Sequence, residues 1–429
     1  MTVTDAGGAV DAVWRIESAR IIAGVARIVR DVGLAEELAQ DALVAALEQW
    51  PESGVPNNPG AWLMAIAKRR AIDLIRRKET YQRKLAEMGH ELEIDGGQYS
   101  VEDSVERRVE AILEDHIEDD LLRLVFTACH PVLTMDARVT LTLKLLGGLK
   151  TDEIARAFLS PEATIAQRIV RAKRNLAKAE VQFEVPSGPD LLDRLQSVLE
   201  VVYLIYNEGY SATAGDDWMR PALCNEAMRL GRLLVELMPT EPEVLGLLAL
   251  MELQSSRANA RVGADGEPVL LLDQDRRRWD RLLIRRGLEG IDRAWALEKP
   301  PGPYLLQAAI AACHARAADP EDTDWARIAG LYAVLAQVTP SPVVELNQAV
   351  AISMAFGPEQ GLRAVDLLAD DPSLKDYHLL PSVRGDLLFK LGRLDEARVE
   401  FEKAAALTRN ERERKLLLER AAACLPAGQ

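Results

Sequence analysis

Apolar residues recur at spacings of three and four along almost the whole of this 429-residue chain. Short alternations of apolar and polar residues, which mark half-buried strands, are rare, and aromatic residues make up only 5% of the sequence. A period near 3.6 residues is the pattern of amphipathic helices. The sequence therefore predicts an all-α protein, and its length suggests two to four domains.

The formal net charge is −15, but the charge is unevenly distributed. Residues 61–84 hold eight Lys and Arg against two acids, whereas residues 85–120 hold thirteen acids against two Arg. Residues 161–178 again hold five basic residues against one acid, Glu162. Basic helices separated by an acidic segment are a better guide to the partners of this chain than its total charge.

The stretch from Gly148 to Leu176 has the pattern of a helix-turn-helix, in which the second helix enters the DNA major groove. We predict a first helix over 151–158 with Thr151 as its N-cap, and a second helix capped by Ser160. An ordinary helical hairpin with a solvated basic face remains open as the alternative. The residues left for base edges and phosphates are Glu162, Thr164, Gln167, Arg168, Arg171 and Arg174.

The N-terminal part predicts helices over about 14–30 and 34–50, a loop rich in Pro and Asn, and a third helix over about 60–84. The polar side of the third helix, in KRRAIDLIRRK, is nearly continuous Lys and Arg. Such a face neutralises phosphates and makes binding depend on salt. Trp62, at the start of this helix, either stacks on an unpaired base or belongs to the core.

Long helices with short breaks follow the Pro186–Pro189 boundary. Within residues 379–409, small and aromatic residues have the spacing of a tetratricopeptide (TPR) unit, which repeats about every 34 residues. These positions are Gly385, Ala397, Phe401 and Ala404. A helical-hairpin solenoid is favoured over an irregular bundle. Before this repeat, we expect Tyr203, Tyr206 and Tyr210 to form a buried stripe on one helix, unless Gly209 ends that helix. We also expect Asp273 to be the N-cap of a later helix.

Several classes of function are disfavoured. The four cysteines lie far apart without a Cys-x-x-Cys pair, so we expect no disulfide framework, metal or cofactor. Motifs for nucleotide phosphates, zinc hydrolysis and serine hydrolysis are missing, so we expect no enzyme. The sequence has no run of 18 apolar residues and no export signal, which predicts a cytoplasmic protein without a membrane segment.

The order of these segments resembles the extracytoplasmic-function (group 4) sigma factors of bacterial RNA polymerase. The segments AEELAQDALVAALEQW and AWLMAIAKRRAIDLIRR resemble domain two, and LTMDARVTLTLKLLGGLKTDEIARAFLSPEATIAQRIVRAKRNL resembles domain four. The remainder, with YNEGYSA and LLDQDRRRWD, resembles the TPR-like extension of one subgroup. The resemblance implies sigma domain two over 1–84, an acidic linker over 85–118, sigma domain four over 119–185 and a regulatory extension over 186–429.

The resemblance also implies partners and roles. An alternative sigma factor binds core RNA polymerase, through its β′ clamp helices and β flap, and promoter DNA. The implied polymerase-binding residues are Glu36, Glu37, Gln40 and Asp41. The implied minus-ten contacts are Asn57, Asn58, Trp62, Arg69, Arg70, Asp73, Arg76 and Arg77. The second helix of the helix-turn-helix would read the minus-thirty-five element, and the acidic linker would run towards the RNA exit path.

The C-terminal extension is implied to contact domains two and four or another protein, and to regulate the factor. A helix-turn-helix activator with a helical-repeat sensor, which would not replace a sigma factor, is the alternative function. A repeat scaffold with merely solvated basic helices is a third possibility. The N-terminal block discriminates among them, because an activator needs neither a polymerase-docking helix nor a melting loop.

Overall fold

The computed structural model describes residues 3–89, 117–158, 160–210, 220–263, 269–408 and 411–425. Regular secondary structure in these ranges is helical, and the all-α prediction is confirmed. Most of the predicted acidic linker, residues 90–116, lies outside the described residues. The chain divides into two compact units, one ending at Leu237 and the other beginning at Met238.

The first unit begins with three helices that share a core. Helices α1 and α2 pack against each other, and α3 packs against both. Ile21, Trp50 and Leu63 are each at most 1% exposed in this core. The helices described in this unit are α1 (Val3–Val29), α2 (Val32–Ser53), α3 (Pro59–Gly89), α4 (Ile117–Ala128), α5 (Met135–Leu145), α6 (Thr151–Ala157), α7 (Glu162–Lys178), α8 (Pro189–Tyr210) and α9 (Pro221–Leu237).

Helix α1 also packs against α4, so the predicted domains two and four are in contact. Across this contact Arg27 of α1 lies 3.4 Å from the carboxylate of Asp120 in α4. Arg123 pairs with the same carboxylate at 2.6 Å. Burial raises the pKa of Asp120, and the two guanidinium groups partly oppose that rise. The paired charges let a carboxylate lie between the helices, because each buried charge keeps a partner.

Helices α8 and α9 follow the predicted boundary at residue 186, yet they belong to the first unit. They pack against each other, and α8 contacts both α4 and α5. Tyr206 is fully buried and stacks on Tyr210 with ring centroids 5.5 Å apart. Helix α8 continues through Gly209, so the alternative that this glycine ends the helix is wrong. A Cβ at Gly209 would lie 2.7 Å from the backbone nitrogen of Cys224, so glycine permits the close approach of α9.

In the second unit, most helices pack against their neighbours in sequence, but the first helix, Pro242–Ser255, packs as closely against Pro303–Arg316 as against its neighbour Arg281–Trp295. In the pair α16–α17, a Cβ at Gly385 would lie 2.9 Å from the ring of Phe401, while Ala397 and Ala404 are fully buried. The TPR-like assignment of this packing stays a prediction. The described helices are α10 (Pro242–Ser255), α11 (Arg281–Trp295), α12 (Pro303–Arg316), α13 (Trp325–Val338), α14 (Pro342–Phe356), α15 (Pro358–Asp366), α16 (Leu379–Lys390), α17 (Leu394–Leu407) and α18 (Glu411–Ala423).

The LLDQDRRRWD segment before α11 is anchored by Arg276, which is only 6% exposed. Its guanidinium donates hydrogen bonds to the carbonyls of His314 at 2.6 Å and Ala317 at 2.8 Å. It also lies 5.0 Å from the ring centroid of Trp279. Because these partners come from α12 and its end, Arg276 ties the segment to the helix that follows α11.

The predicted N-cap at Asp273 is wrong. Asp273 lies within a short 3-10 turn, Leu271–Asp273. The cap of α11 is Asp280, whose side chain accepts hydrogen bonds from the N–H groups of Leu282 and Leu283. Several acids in this segment fit an N-cap equally well, and the sequence does not fix which of them precedes the first helical turn.

His314 makes the stability of the second unit depend on pH. Burial, together with the nearby guanidinium groups of Arg257 and Arg276, lowers the pKa of its imidazole to about 4. The unfolded chain takes up this proton near pH 6.5, so the folded state loses stability as the pH falls from about 6.5 to about 4. We expect His314→Leu to make the melting temperature of the second unit depend less on pH over this interval. Calorimetry at several pH values measures this. His130, whose pKa is also lowered to about 4 by burial and by the guanidinium groups of Arg194 and Arg138, lies in the first unit and affects the pH dependence of that unit instead. An unchanged slope in the variant would contradict this prediction.

Candidate nucleic-acid and polymerase interface

One side of α2 presents acidic and apolar side chains to solvent. Glu37, Gln40 and Asp41 are exposed, and Val44 and Leu47 are 50% and 45% exposed. Spacings of three and four place these five residues, here called the docking stripe, on one face of the helix. Exposed apolar side chains bordered by carboxylates suit a partner that is apolar and basic, because burial gives affinity and charge gives orientation.

Glu36 differs from the three residues predicted to act with it. Its side chain is only 3% exposed, pairs with Lys173 of α7, and lies 3.7 Å from Lys144 of α5. The side-chain amide of Gln40 also donates to Glu36 Oε1 at 2.7 Å. In this conformation Glu36 contacts the helices predicted as domain four rather than solvent.

The loop rich in Pro and Asn leads directly into α3. The side-chain oxygen of Asn58 accepts a hydrogen bond from the N–H of Ala61 at 3.1 Å, so Asn58 stabilises the first turn of α3. Asn57 beside it is exposed. Trp62 packs edge to face on Trp50 with ring centroids 5.4 Å apart, and it remains half-buried. Trp62 therefore contributes to the core while part of it still reaches solvent.

The predicted minus-ten residues of α3 share one side of that helix. Arg69, Asp73 and Arg77 are exposed, whereas Arg70 and Arg76 are half-buried. Arg70 pairs with Asp41 of the docking stripe, with 2.9 Å between guanidinium and carboxylate. The basic face of α3, defined by these four arginines, is suited to phosphates and adjoins the docking stripe.

Both predicted caps of the helix-turn-helix are displaced by one residue. The N-cap of α6 is Lys150 rather than Thr151, and the Lys150 N–H donates to Glu153 at 2.8 Å. Helix α7 begins at Glu162, with Pro161 rather than Ser160 at the cap position. The Ser160 hydroxyl instead donates to the carbonyl of Phe158 at 3.2 Å, so it does not cap α7.

Helix α7 buries one side and exposes the other. Its buried residues are Ile165, Ile169, Ala172 and Leu176. Arg168 is half-buried and pairs with Asp136 of α5 at 3.3 Å, so it holds α7 against α5. The other predicted minus-thirty-five residues, which are exposed, are Glu162, Thr164, Gln167, Arg171 and Arg174.

Helix α9 holds the helix-turn-helix through backbone carbonyls. Arg220, directly before α9, donates to the carbonyl of Ala157 at the end of α6 and pairs with Glu208 of α8. Arg229 of α9 donates to the carbonyl of Leu146. No pattern in the sequence predicts this brace. The local signal is Arg220, which directly precedes the proline that starts α9. It indicates a contact with α6 only when the packing of α9 in the fold is known.

Helix α8 braces the same region from a second direction. Arg138 of α5 donates to the Ser197 hydroxyl at 2.7 Å, and that hydroxyl donates to the carbonyl of Cys129 at 2.7 Å. Arg194 donates to the carbonyl of Phe126 at 2.8 Å. Carbonyls at the end of α4 therefore depend on side chains of α8 for their hydrogen bonds.

We expect Arg220→Met to loosen α6. The change removes the donor to the Ala157 carbonyl and leaves Glu208, which is only 15% exposed, without this cation. The expected loss of local stability is about 2–4 kcal/mol. Hydrogen exchange of the α6 amides measures it. Arg293→Met, at an exposed position in α11, is the matched control, and equal protection of α6 in both variants would contradict the brace.

The described residues hold no group of three or more His, Cys, Asp or Glu that can bind a metal ion. The four cysteines are buried and form no disulfides. Burial raises the pKa of the Cys129 thiol to about 11, which makes it a poor nucleophile at neutral pH. Among the described residues, no helix is long and apolar enough to cross a membrane.

An uncharacterized protein of Rhizobium meliloti (strain 1021) is 45% identical to this chain over 384 residues. The match covers 90% of this chain and 88% of that protein. This chain belongs to the same family. Since 384 residues are more than either compact unit contains, the relationship within the family extends over parts of both units.

Residues 16–80 of this family member match the family described as Sigma-70 region 2. The ECF RNA polymerase sigma factor SigK of Mycobacterium tuberculosis (strain ATCC 25618 / H37Rv) is 29% identical over 161 residues, which are 37% of this chain and 78% of SigK. SigK of Mycobacterium ulcerans (strain Agy99) is 27% identical over 161 residues, with the same coverage. These matches support a sigma-factor role.

The matched segments have clear places in the fold. The region 2 match contains all of α2 and most of α1 and α3, and so includes the docking stripe and the basic face. Residues 194–295 match a family of unknown function, DUF6596. That match begins within α8 and ends at the last residue of α11, so it spans the change from the first unit to the second.

Proposed function

We propose that this protein is an alternative sigma factor, which binds bacterial core RNA polymerase and directs it to specific promoters. The observation that carries the proposal is the Sigma-70 region 2 match over helices whose docking stripe and basic face are exposed. Similarity to SigK proteins, which are described as ECF sigma factors, supports it.

The docking stripe on α2 binds the β′ clamp helices in this proposal. Its carboxylates, Glu37 and Asp41, orient a basic partner, while Val44 and Leu47 supply the apolar contact. The pair between Asp41 and Arg70 links this surface to the basic face of α3, so polymerase contact and DNA contact adjoin each other.

The start of α3 holds the opened minus-ten element. Separating DNA costs about 1.4 kcal/mol per base-pair step, and stacking one base on an aromatic ring returns about 1–3 kcal/mol. A single captured base at Asn57 and Trp62, together with phosphate contacts from the basic face, therefore offsets the loss of a few steps. Binding energy alone drives this opening, and the protein carries out no covalent chemistry.

The exposed side of α7 reads the minus-thirty-five element. Gln167, Arg171 and Arg174 have the side chains that pair with base edges and phosphates in a major groove. In the same proposal, the helices around α7 contact the β flap, so that domain four is positioned on the upstream element.

The C-terminal extension regulates the factor through domain four in this proposal. The support is the brace in which Arg220 and Arg229 hold the carbonyls of Ala157 and Leu146. The rest of the extension is a TPR-like surface for an unidentified signal or partner. Small-against-aromatic packing at Gly385 and Phe401 supports that assignment.

Run-off transcription on sheared genomic DNA, with the transcript ends sequenced, tests the proposal. Purified core polymerase is compared alone, with the full-length protein, and with the Glu37→Lys/Asp41→Lys variant of the docking stripe. We expect new start sites with the full-length protein, each preceded by a shared upstream motif, and loss of those start sites with the variant.

Each outcome separates the candidate functions. Start sites that need only core polymerase and this protein establish a sigma factor. Start sites that appear only when another sigma factor is added indicate a helix-turn-helix activator. Absence of both transcription and binding to core polymerase refutes the proposal.

A further inference from the structure

The second unit contains a small pocket between α10, α12 and α13, with a volume of about 210 Å³. All three helices contribute to its lining, with Leu250 and Gln254 from α10, Ile310 and His314 from α12, and Tyr332 from α13. A spacing of four residues puts each pair on one face of its helix. A cavity of about 150 Å³ holds benzene, so this pocket has room for a molecule of about six to ten non-hydrogen atoms.

Two polar atoms of the lining receive no hydrogen bond from the described parts of the chain. They are Oε1 of Gln254 and Nδ1 of His314, and both are buried. A buried polar atom without a partner destabilises a fold, and native proteins keep few of them. Because both residues line the same pocket, one polar molecule bound there can serve both atoms.

The imidazole of His314 is held in place and uncharged. Its ring packs edge to face on Trp325, with centroids 5.2 Å apart, and its backbone carbonyl accepts a hydrogen bond from Arg276 at 2.6 Å. Burial, together with the guanidinium groups of Arg257 and Arg276, lowers the pKa of the imidazole to about 4, so it is neutral at neutral pH. A neutral imidazole has one donor and one acceptor nitrogen, so His314 recognises a polar group by hydrogen bonding rather than by charge.

The charge of the lining indicates an anion. Among the described residues that line the pocket, the one that is charged at neutral pH is Arg257, which is half-buried. A guanidinium group favours a carboxylate, with which it forms two parallel hydrogen bonds. The described lining offers no carboxylate to an ammonium group, so a hydroxy acid suits it better than an amino acid. Leu250 and Ile310, which are 1% and 7% exposed, form an apolar wall.

We propose that this pocket binds a small α-hydroxycarboxylate with an apolar side chain. The carboxylate pairs with Arg257. The hydroxyl donates a hydrogen bond to Gln254 Oε1 and also bonds to His314 Nδ1, since a hydroxyl is both donor and acceptor. Gln254 and Arg257 are three residues apart and therefore neighbours, which places the hydroxyl beside the carboxylate. The apolar side chain packs on Leu250 and Ile310.

Isothermal titration calorimetry of the full-length protein with α-hydroxyisocaproate at neutral pH tests the proposal without polymerase or DNA. We expect one saturable site per chain with a Kd of about 0.1–1 mM, as suits a ligand of this size. Isocaproate, which lacks the hydroxyl, and α-hydroxyisocaproamide, which lacks the charge, are each expected to bind about tenfold more weakly. Absence of saturable binding of α-hydroxyisocaproate up to about 10 mM overturns the proposal, and so does equal binding of the three compounds.

Two variants assign the contacts within the pocket. Gln254→Met has no acceptor oxygen, so we expect it to bind α-hydroxyisocaproate no better than isocaproate. Arg257→Met has no cation, so we expect it to bind α-hydroxyisocaproate no better than the amide. Arg293→Met, at an exposed position of α11, is the matched control and should bind as the wild type does. Wild-type discrimination among the three compounds in either pocket variant overturns the proposal.

The melting temperature of the ligand-free protein separates a binding residue from a structural one. Gln254→Met replaces a buried oxygen that has no partner in the described chain, so we expect the second unit to melt about 2–4 °C higher. A variant that is more stable and yet binds the hydroxy acid more weakly supports the proposal. A lower melting temperature, with the variant folded by circular dichroism, shows that Gln254 serves the fold and overturns its role in recognition.

Discussion

A chain cut after residue 184 will not fold cooperatively, whereas a chain that ends at Leu237 will. The shorter chain lacks α8 and α9, whose buried faces include Val198, Ile205 and Tyr206, each at most 1% exposed. Burying one such side chain contributes about 1.5–3 kcal/mol, and a whole domain is stable by only about 5–15 kcal/mol. Because α8 packs against both α4 and α5, and α9 against α4, removing them exposes apolar surface of those helices and takes away a large share of that stability.

The polar contacts lead to the same expectation. In the shorter chain the carbonyl of Phe126 loses the guanidinium of Arg194, and the carbonyl of Ala157 loses that of Arg220. Calorimetry and the dispersion of amide NMR signals will measure folding in both chains, with the full-length protein as reference. A cooperative transition for residues 1–184, within a few degrees of that for residues 1–237, would contradict this prediction.

Arg171→Ala/Arg174→Ala will abolish recognition of the upstream promoter element while leaving the protein folded. Both side chains are exposed on α7, on the side away from the buried Ile165 and Ile169. A lost base or phosphate contact costs about 1–3 kcal/mol, so the two together lower affinity for the promoter by about 100-fold. The double variant should also release about one to two fewer counterions on binding, so its affinity should depend less steeply on salt concentration.

Fluorescence anisotropy of the holoenzyme on a promoter duplex, at several salt concentrations, measures both effects. Arg285→Ala/Arg286→Ala removes the same charge from exposed positions of α11 and is the matched control. Affinity for core polymerase should not change in either variant. Equal promoter binding by the two double variants would assign the reading of DNA to another surface.

The helical fold and the positions of the two helices of the predicted helix-turn-helix were predictable because both depend on residues close together in sequence. The apolar spacing in α7 fixes which side is buried, and the exposed positions of Arg171 and Arg174 follow from it. Caps were predicted to within one residue at α6 and α7, and the cap of α11 was missed among several acids. Local hydrogen-bond choices of this kind differ by only about 1 kcal/mol, so neighbouring candidates compete closely.

Contacts between distant segments were not predictable. Arg220 and Arg229 reach carbonyls 63 and 83 residues away, and no periodic pattern connects such positions. Glu36 and Glu37 show the same limit. They are identical in chemistry and adjacent in sequence, yet one is buried against lysines of α5 and α7 and the other is exposed. A single helical step of about 100° separates them, and only the placement of another segment decides which one is covered.

The division at Leu237 bears on how such a chain can be recombined with others. A gene fusion that joins a foreign partner at residue 186 would cut away α8 and α9, which belong to the same compact unit as the predicted helix-turn-helix. The segment matched by the family of unknown function is therefore not an independent domain that can be moved to another protein. Its first part belongs to one unit and its remainder to the next. Chimeras with other sensory modules should be spliced between α9 and α10, where the chain passes from one unit to the other.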